Sequence, residues 1–404
     1  MPSIDFVSNI IKRDKKIFAK DFDEIKNNSN LNEFNKSDED NEFNQDSDSV
    51  FYKSSGESDG SDLKPLVSDF TEYSPLHNGH FHCMKVAKSK IQDSLFVAIV
   101  PGLFERSGRG LPYILPREVR AEIAIAVGAD IVVEGPPMGV MGSGQYSLCL
   151  AKMFQALNTD FIPRGYRPFE GYDEILNRIS LGHGVAPKPY KIVDMDTREV
   201  LLNGKLEEDN YVIVSFSKSL KRIGFDFKDK FIFVPRIEGV SGTLIRQACL
   251  ENNLNYIESM LPKESLEILK RELDSDRAPL HDLRDFDSII KASNSLSLEE
   301  LSSLNLFNEK LARQFVENRE NKEFESIGEI EESIFYGFSS HYKNRVLSIL
   351  ETQVSQEQVS RYIDNYPYKI RVLDYKDEKT LEEFRQKVFS NKGSFVYKIE
   401  LRSF

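Results

Sequence analysis

The sequence predicts an α/β protein built on an open, parallel sheet, with an acidic N-terminal extension and a helical C-terminal region. Three observations carry this expectation. Between Leu66 and Asn252, short continuous apolar runs alternate with segments of helical period, as in strands buried on both faces and joined by crossover helices. Residues 28–62 are rich in Asn, Ser and Asp, too polar to offset the chain entropy of folding, and are expected to be disordered. Beyond Asn252 the periodic segments have helical spacing.

The elements follow in chain order. Ile4, Phe6, Val7, Ile10, Ile11, Ile17, Phe18, Phe22 and Ile25 fit an amphipathic helix over residues 4–26. It is expected to be a tethered, dispensable part of an extension spanning 1–64. "LVSDF" at 66–70 reads as a strand, followed by a histidine-bearing loop and a helix from about Gly79 to Ile91. "SLFVAIVPG" is a second strand, and "LPREVRAEIAIAVGA" a helix with Pro116 near its start and Gly128 at its end. "DIVVEGPP" is a third strand, "GQYSLCLAKMFQALN" a helix, and "TDFIPRGY" a fourth strand. Residues 169–210 read as a hairpin excursion. "NYVIVSF" and "KFIFVPR" are expected to return to the strand pattern before "VSGTLIRQACLEN" turns into a helix. This places one domain over 65–255 and a mainly helical one over 256–404, closed by a short strand in "GSFVYKIEL".

Composition narrows the function class. The 404 residues carry a formal charge of -12. Between Asn28 and Asp62 ten acidic residues face two lysines, so the rest of the chain is only mildly acidic and lacks the signature of a strongly basic nucleic-acid surface. Cys83, Cys149 and Cys249 lie too far apart for a paired framework and read as reduced, buried thiols. With no apolar core of signal length and no membrane-length apolar run, a soluble cytoplasmic protein is expected.

The chemistry concentrates in "FTEYSPLHNGHFHCMK", where His77, His80 and His82 stand within six residues. Zinc sites on a helix usually take histidines four apart, with a further ligand elsewhere. Here the spacings are three and two, with a glycine inside, which argues against a metal. Histidines that merely cap a helix are the plain alternative. A strand–loop–helix context instead puts Gly79 where the backbone approaches a ligand closely. It puts His77 and His80 at a helix N-terminus, whose free N–H groups attract anions. Imidazole donors there can stabilise charge that builds on a phosphate. His82 is expected to be a packing residue. A second anion-binding element is available in "VSGTLIRQA", where Ser241 and Thr243 offer hydroxyls and Arg246 lies one turn into a helix. Arg106, Arg109, Arg117 and Arg120 follow the second strand, either within reach of a bound substrate or simply solvated.

The loop with His77, Gly79 and His80, and the turn with Ser241, Thr243, Ile245 and Arg246, resemble the two signatures of the nucleotidylyltransferase superfamily, H-x-G-H and S-x-T-x-I-R. "EYSPLHNGH", "PGLFERSGRG" and "REVRAEIAIAVGADIVVEGPP" are similar to segments of the bacterial tRNA(Met) cytidine acetate ligases, over roughly residues 66–272. The resemblance implies a Rossmann-like parallel sheet and an enzyme that uses ATP and Mg²⁺. It implies nucleotide contacts from Thr71, Glu72, Tyr73, Ser74, Pro75, Leu76, His77, Asn78, Gly79 and His80, from Gly165, and from Ser241, Thr243 and Arg246. Among these His77, His80 and Arg246 are the catalytic candidates, with no metal held by the protein. The acceptor it implies is acetate, passed on to tRNA. The alternatives are adenylyl or cytidylyl transfer to a small phosphate-bearing metabolite, or a silent nucleotide-binding regulator. Three departures fall largely outside the adenylylation machinery: Ser74 replaces the family's asparagine, "SFSKSLKR" lacks another, and "IDNYPYKIRVL" replaces a basic C-terminal motif.

Overall fold

The structure, a computed structural model, describes residues 2, 4–27, 49–50, 63–188, 191–204, 208–227, 229–280, 283–334, 339–391, 396 and 398–402. Its strands are β1 (Ser49–Val50), β2 (Leu66–Phe70), β3 (Leu95–Pro101), β4 (Ile131–Gly135), β5 (Ile162–Tyr166), β6 (Val185–Lys188), β7 (Lys191–Asp194), β8 (Val200–Asn203), β9 (Phe231–Pro235), β10 (Lys369–Tyr375) and β11 (Lys398–Leu401). The first helices are α1 (Ile4–Asn27), α2 (Asn78–Lys90), α3 (Arg117–Ala126), α4 (Ser143–Ala156), α5 (Tyr172–Ser180), α6 (Glu208–Arg222), α7 (Gly242–Leu250) and α8 (Lys263–Asp274). The later ones are α9 (Phe286–Ser295), α10 (Leu298–Ser303), α11 (Glu309–Asn321), α12 (Ile327–Ser333), α13 (Ser340–Thr352), α14 (Gln356–Asn365) and α15 (Glu378–Phe389).

β3 is the central strand, parallel to β2 on one side and to β4 on the other, and all seven of its residues are buried. Alternation along the strand sends its side chains to opposite layers. Phe96, Ala98 and Val100 share a core with Met84 of α2, Ala121 of α3 and Ala248 of α7. Leu95, Val97 and Ile99 share one with Leu150 and Phe154 of α4 and with the C-terminal helices. β5 pairs in parallel with β9. A parallel bridge between Val67 and Phe161 sets that pair beside β2. The parallel strands therefore run β4-β3-β2-β5-β9, and the order reverses between β2 and β5. The excursion over 169–210 is an antiparallel meander, β6-β7-β8, beside α5.

Three expectations change. "NYVIVSF" lies in α6, not in a strand. Asn210, Ile213, Val214, Ser217 and Leu220 are buried at helical spacing, and Asn210 anchors the helix by exchanging hydrogen bonds with the Arg167 backbone at 2.7 and 2.8 Å. A short apolar run does not declare its own period, so tertiary contacts decide. Next, the segment after 255 is not self-contained. β10 pairs antiparallel with β4, and β11 parallel with β10, so both extend the central sheet.

The third change concerns α1, which is docked rather than tethered. Ile10, Ile11, Phe18 and Ile25 are buried, and Phe18 meets the rings of Phe104 and Tyr362. Asp14 and Asp21 are buried as well. Asp14 accepts from both terminal nitrogens of Arg117, at 2.6 and 2.7 Å, and from the Phe104 N–H at 2.7 Å. Asp21 pairs with Lys369 at 3.1 Å and with Arg371. The Asp14 and Asp21 carboxylates need these cations to enter the interior, and only the fold brings them together. The expected disorder of 28–62 concerns residues that, apart from β1, lie outside the described ones. β1 pairs antiparallel with β11.

Candidate active site

In an open α/β sheet the crevice forms at the carboxyl ends of the strands where their order reverses. Here that point lies between β2 and β5. The loop from Thr71 to His77 leaves β2 there, Gly165 is the last residue but one of β5 there, and the turn from Arg236 to Ser241 leaves β9 there.

His77 is the N-cap of α2. Its Nδ1 accepts the Gly79 N–H at 3.1 Å, while the His77 N–H is donated to His80 Nδ1 at 3.3 Å. The capping alternative is therefore met, but it uses only one nitrogen of each ring. With both Nδ1 atoms accepting, each neutral ring carries its proton on Nε2. The rings stack with centroids 3.7 Å apart, and Tyr73 meets the His80 ring edge-on at 5.3 Å. Burial, then the charges of Arg236 and Arg246, lower the His77 pKa to about 4. Burial, then His77 and Arg164, lower that of His80 well below its ordinary value. At neutral pH the pair is uncharged and donates through Nε2.

Gly79 is required by close approach: a Cβ there would lie 3.0 Å from Cε1 and 3.1 Å from Nδ1 of His77. Gly79→Ala is expected to shift the ring by a few tenths of an ångström and lower turnover by about 10-fold, less than the roughly 10²-fold cost of a full ångström at a reacting centre. Steady-state exchange of pyrophosphate into ATP measures it.

The second loop meets the first in space. Ser241 caps α7 by accepting the Leu244 N–H at 3.3 Å, and Arg246 Nη2 donates to Thr243 Oγ1 at 3.3 Å. A Cβ on Gly242 would lie 3.4 Å from Arg246 Nη1 and 3.6 Å from His77 Nε2. The first turn of α7, the Arg246 guanidinium and the proton-bearing nitrogen of His77 thus converge on one place. An α-helix N-terminus, a guanidinium and two neutral N–H donors form a set suited to a polyanion.

The other predicted residues divide by position. Tyr73, Pro75 and Leu76 are buried. Ser74 Oγ accepts the Ile114 N–H at 2.7 Å, and Glu72 accepts the Gly108 N–H at 3.0 Å. Leu76 offers its carbonyl to Ser265, and Asn78 donates to the Ser259 carbonyl. These residues hold the loop's shape. Thr71 and His82 are partly exposed, and Gly165 is open, with nothing within 4 Å of an added Cβ.

Arg106, Arg117 and Arg120 are neither solvated nor in the crevice. All three are buried, paired with Glu351, with Asp14, Glu105 and Glu134, and with Glu105 respectively. Sequence reasoning missed Arg164 and Arg236. The available signal was their place beside Gly165 and just before the "VSGTLIR" turn. Among the described residues, the His/carboxylate cluster of metal-site geometry is His183, Asp194 and Asp196 in the meander. Its carboxylates are already paired with Arg178 and Lys221. The three cysteines are free and buried. No helix among the described residues is long and apolar enough to cross a membrane.

Comparison with known proteins matches residues 67–154 to the HIGH Nucleotidyl Transferase family. Residues 167–374, about half of the chain, match the Cytidyltransferase-related C-terminal region. The chain belongs to the HIGH nucleotidyl transferases. An uncharacterized protein of Methanocaldococcus jannaschii is 45% identical over 315 residues, 77% of this chain and 85% of that one. The tRNA(Met) cytidine acetate ligase of Thermotoga maritima is 24% identical over 349 residues, 76% and 81% of the two chains. A crystal structure of Thermotoga maritima TmcAL bound with alpha-thio ATP superposes with a TM-score of 0.64 at 20% identity, over 80% of this chain and 83% of that one. The shared fold is that of a Rossmann-like parallel sheet.

One pH dependence follows for this HIGH nucleotidyl transferase. The His77 imidazole takes up a proton near 6.5 when unfolded and near 4 when folded. Between those values the unfolded state binds more protons, so stability falls as pH drops from about 6.5 toward 4. Urea unfolding midpoints at pH 7 and pH 5 measure the loss, which is expected to be shallower in His77→Asn.

Proposed function

We propose that this HIGH nucleotidyl transferase uses ATP to adenylylate an acceptor oxygen, releasing pyrophosphate. The observation that carries this reading is the convergence of His77 Nε2, the first turn of α7 and Arg246 at the point where the strand order reverses. In this reading the crevice holds the triphosphate, with the β- and γ-phosphates at Ser241, Thr243 and Arg246. The α-phosphate lies against the Nε2–H groups of His77 and His80, which donate as negative charge grows on its oxygens. The acceptor oxygen attacks Pα, the bond from Pα to the bridging oxygen breaks, and the electron pair leaves with pyrophosphate. Imidazole, guanidinium and backbone N–H donors suit anions rather than cations, so Mg²⁺ enters on the phosphates of ATP as part of the substrate.

The specific form suggested by the ligase relatives is activation of acetate for transfer to a tRNA cytidine. Transfer to a small phosphate-bearing metabolite uses the same geometry, and the lack of a strongly basic C-terminal half favours it over a tRNA acceptor. The test is exchange of labelled pyrophosphate into ATP with Mg²⁺ present. Exchange that depends on acetate supports the ligase form, and exchange that depends on a phosphate ester supports the metabolite form. ATP binding without any turnover would leave a nucleotide-binding regulator as the function. Retention of tRNA at low salt is a separate check on the final acceptor.

A further inference from the structure

Arg164 is a cation of the crevice to which the transfer described above assigns no task. It lies on β5, one residue before the open Gly165, and the parallel bridge of Val67 with Phe161 carries forward to set it beside Phe70 at the end of β2. Its Nη1 donates to the Phe70 carbonyl at 2.7 Å and to Asp69 Oδ1 at 3.2 Å. Asp69 is 4% exposed, whereas the Arg164 side chain keeps 20% of its surface. Among the described residues no acceptor lies on Nη2 or Nε of Arg164, and neither atom is a buried orphan. A guanidinium held through Nη1, with Nη2 and Nε left to donate, is a preformed two-donor fork. That geometry matches a carboxylate or a phosphate. It also lies close enough to His80 for its charge to disfavour protonation of that ring.

A second observation points to the same ligand. Attack by an alcohol would need a base, and among the described residues the imidazoles beside the α7 turn offer none. The Nδ1 atoms of His77 and His80 are occupied as acceptors. Asp69 accepts from Arg164 and from the Phe70 N–H, and Glu72 accepts the Gly108 N–H. An oxyanion needs no base, because it brings a lone pair and no proton.

We propose that Arg164 is the acceptor-recognising residue, binding an oxyanion, carboxylate or phosphate, and aiming its oxygen at the α-phosphate beside His80. The proposal rests on nucleotidyl transfer being the reaction. The anion's oxygen forms the bond to Pα as the Pα–O bond to pyrophosphate breaks, and no proton moves.

The experiment uses the full chain, Arg164→Ala and Arg164→Lys, with acetate, methyl phosphate and methanol as trial acceptors. The KM for whichever anion supports exchange is expected to rise about 10- to 100-fold in Arg164→Ala, as for loss of a charged hydrogen-bonding group. It should recover partly in Arg164→Lys, while the ATP dissociation constant by calorimetry stays within about twofold. Acetate and methyl phosphate distinguish the two sources of the anion. A parallel rise in the ATP dissociation constant, or turnover with methanol equal to that with the anions, would overturn the proposal. Saturation-transfer NMR of each anion, with a non-hydrolysable ATP analogue bound, separates this proposal from the activity itself. Anion binding lost in Arg164→Ala upholds the anion seat even if wild-type exchange is absent, and equal binding by both proteins sinks it.

Discussion

Asp14→Ala is expected to destabilise the protein by about 3–5 kcal/mol, the usual cost of removing one partner of a buried ion pair. The side chains of Asp14 and Arg117 are both 0% exposed, and Asp14 takes the fork of Arg117 together with the Phe104 N–H. Glu105 and Glu134 also touch Arg117, at 3.3 and 3.2 Å. They do not replace the lost carboxylate, because each already serves other cations. Glu105 serves Arg120, while Glu134 serves Arg371 and Arg402. Burial works against the Glu134 charge, but Arg402, Arg117 and Arg371 outweigh it and hold its pKa at about 2. Urea unfolding of Asp14→Ala beside Lys12→Ala, which alters an exposed side chain of the same helix, tests the expectation. A difference between the two under about 0.5 kcal/mol, the range of ordinary surface changes, would return α1 to the status of a loose extension.

His80→Ala is expected to lower pyrophosphate exchange by about 10²–10³-fold or more, the cost of removing one preorganised donor from a developing oxyanion. The structural cost should be small. The ring's one backbone bond, from the His77 N–H at 3.3 Å, is worth about 1 kcal/mol. Unfolding curves beside the exchange assay separate the two effects. Because the rings of His77 and His80 stack at 3.7 Å and would act as a unit, the double variant should lose little more than either single one. An active, folded His80→Ala enzyme would rule out this imidazole as a donor to the α-phosphate.

Much of the sheet was legible because its signals are local. β3 shows itself as an apolar run bounded by turn residues, and α3 by Pro116 and Gly128. The histidine loop declared itself by order, since a strand, H-x-G-H and a helix stand in one short stretch. Its pairing with "VSGTLIR" was readable as a motif, although the contact between Gly242 and His77 was not. What failed lacked a local signature. α6 and a strand make similar claims on "NYVIVSF", and the contact of Asn210 with Arg167 settles the matter. β10, "KIRVLDY", is broken by charged residues, and its partner, β4, lies more than two hundred residues earlier. The four arginines after β3 could not be sorted, because an arginine in a pair and one in solvent are the same letter.

From the sequence alone came the strands and helices from β2 to β5, the buried cysteines and the two turns with His77 and Ser241, since each depends on residues within a few positions of one another. Tertiary structure alone decided that α1 belongs to the core, that the C-terminal strands extend the central sheet, and that Arg164 stands in the crevice while Arg117 does not. The physical reason is pairing. A buried charge is tolerated only beside its counter-charge, and Asp14 meets Arg117, as Asp69 meets Arg164, only once the chain has folded.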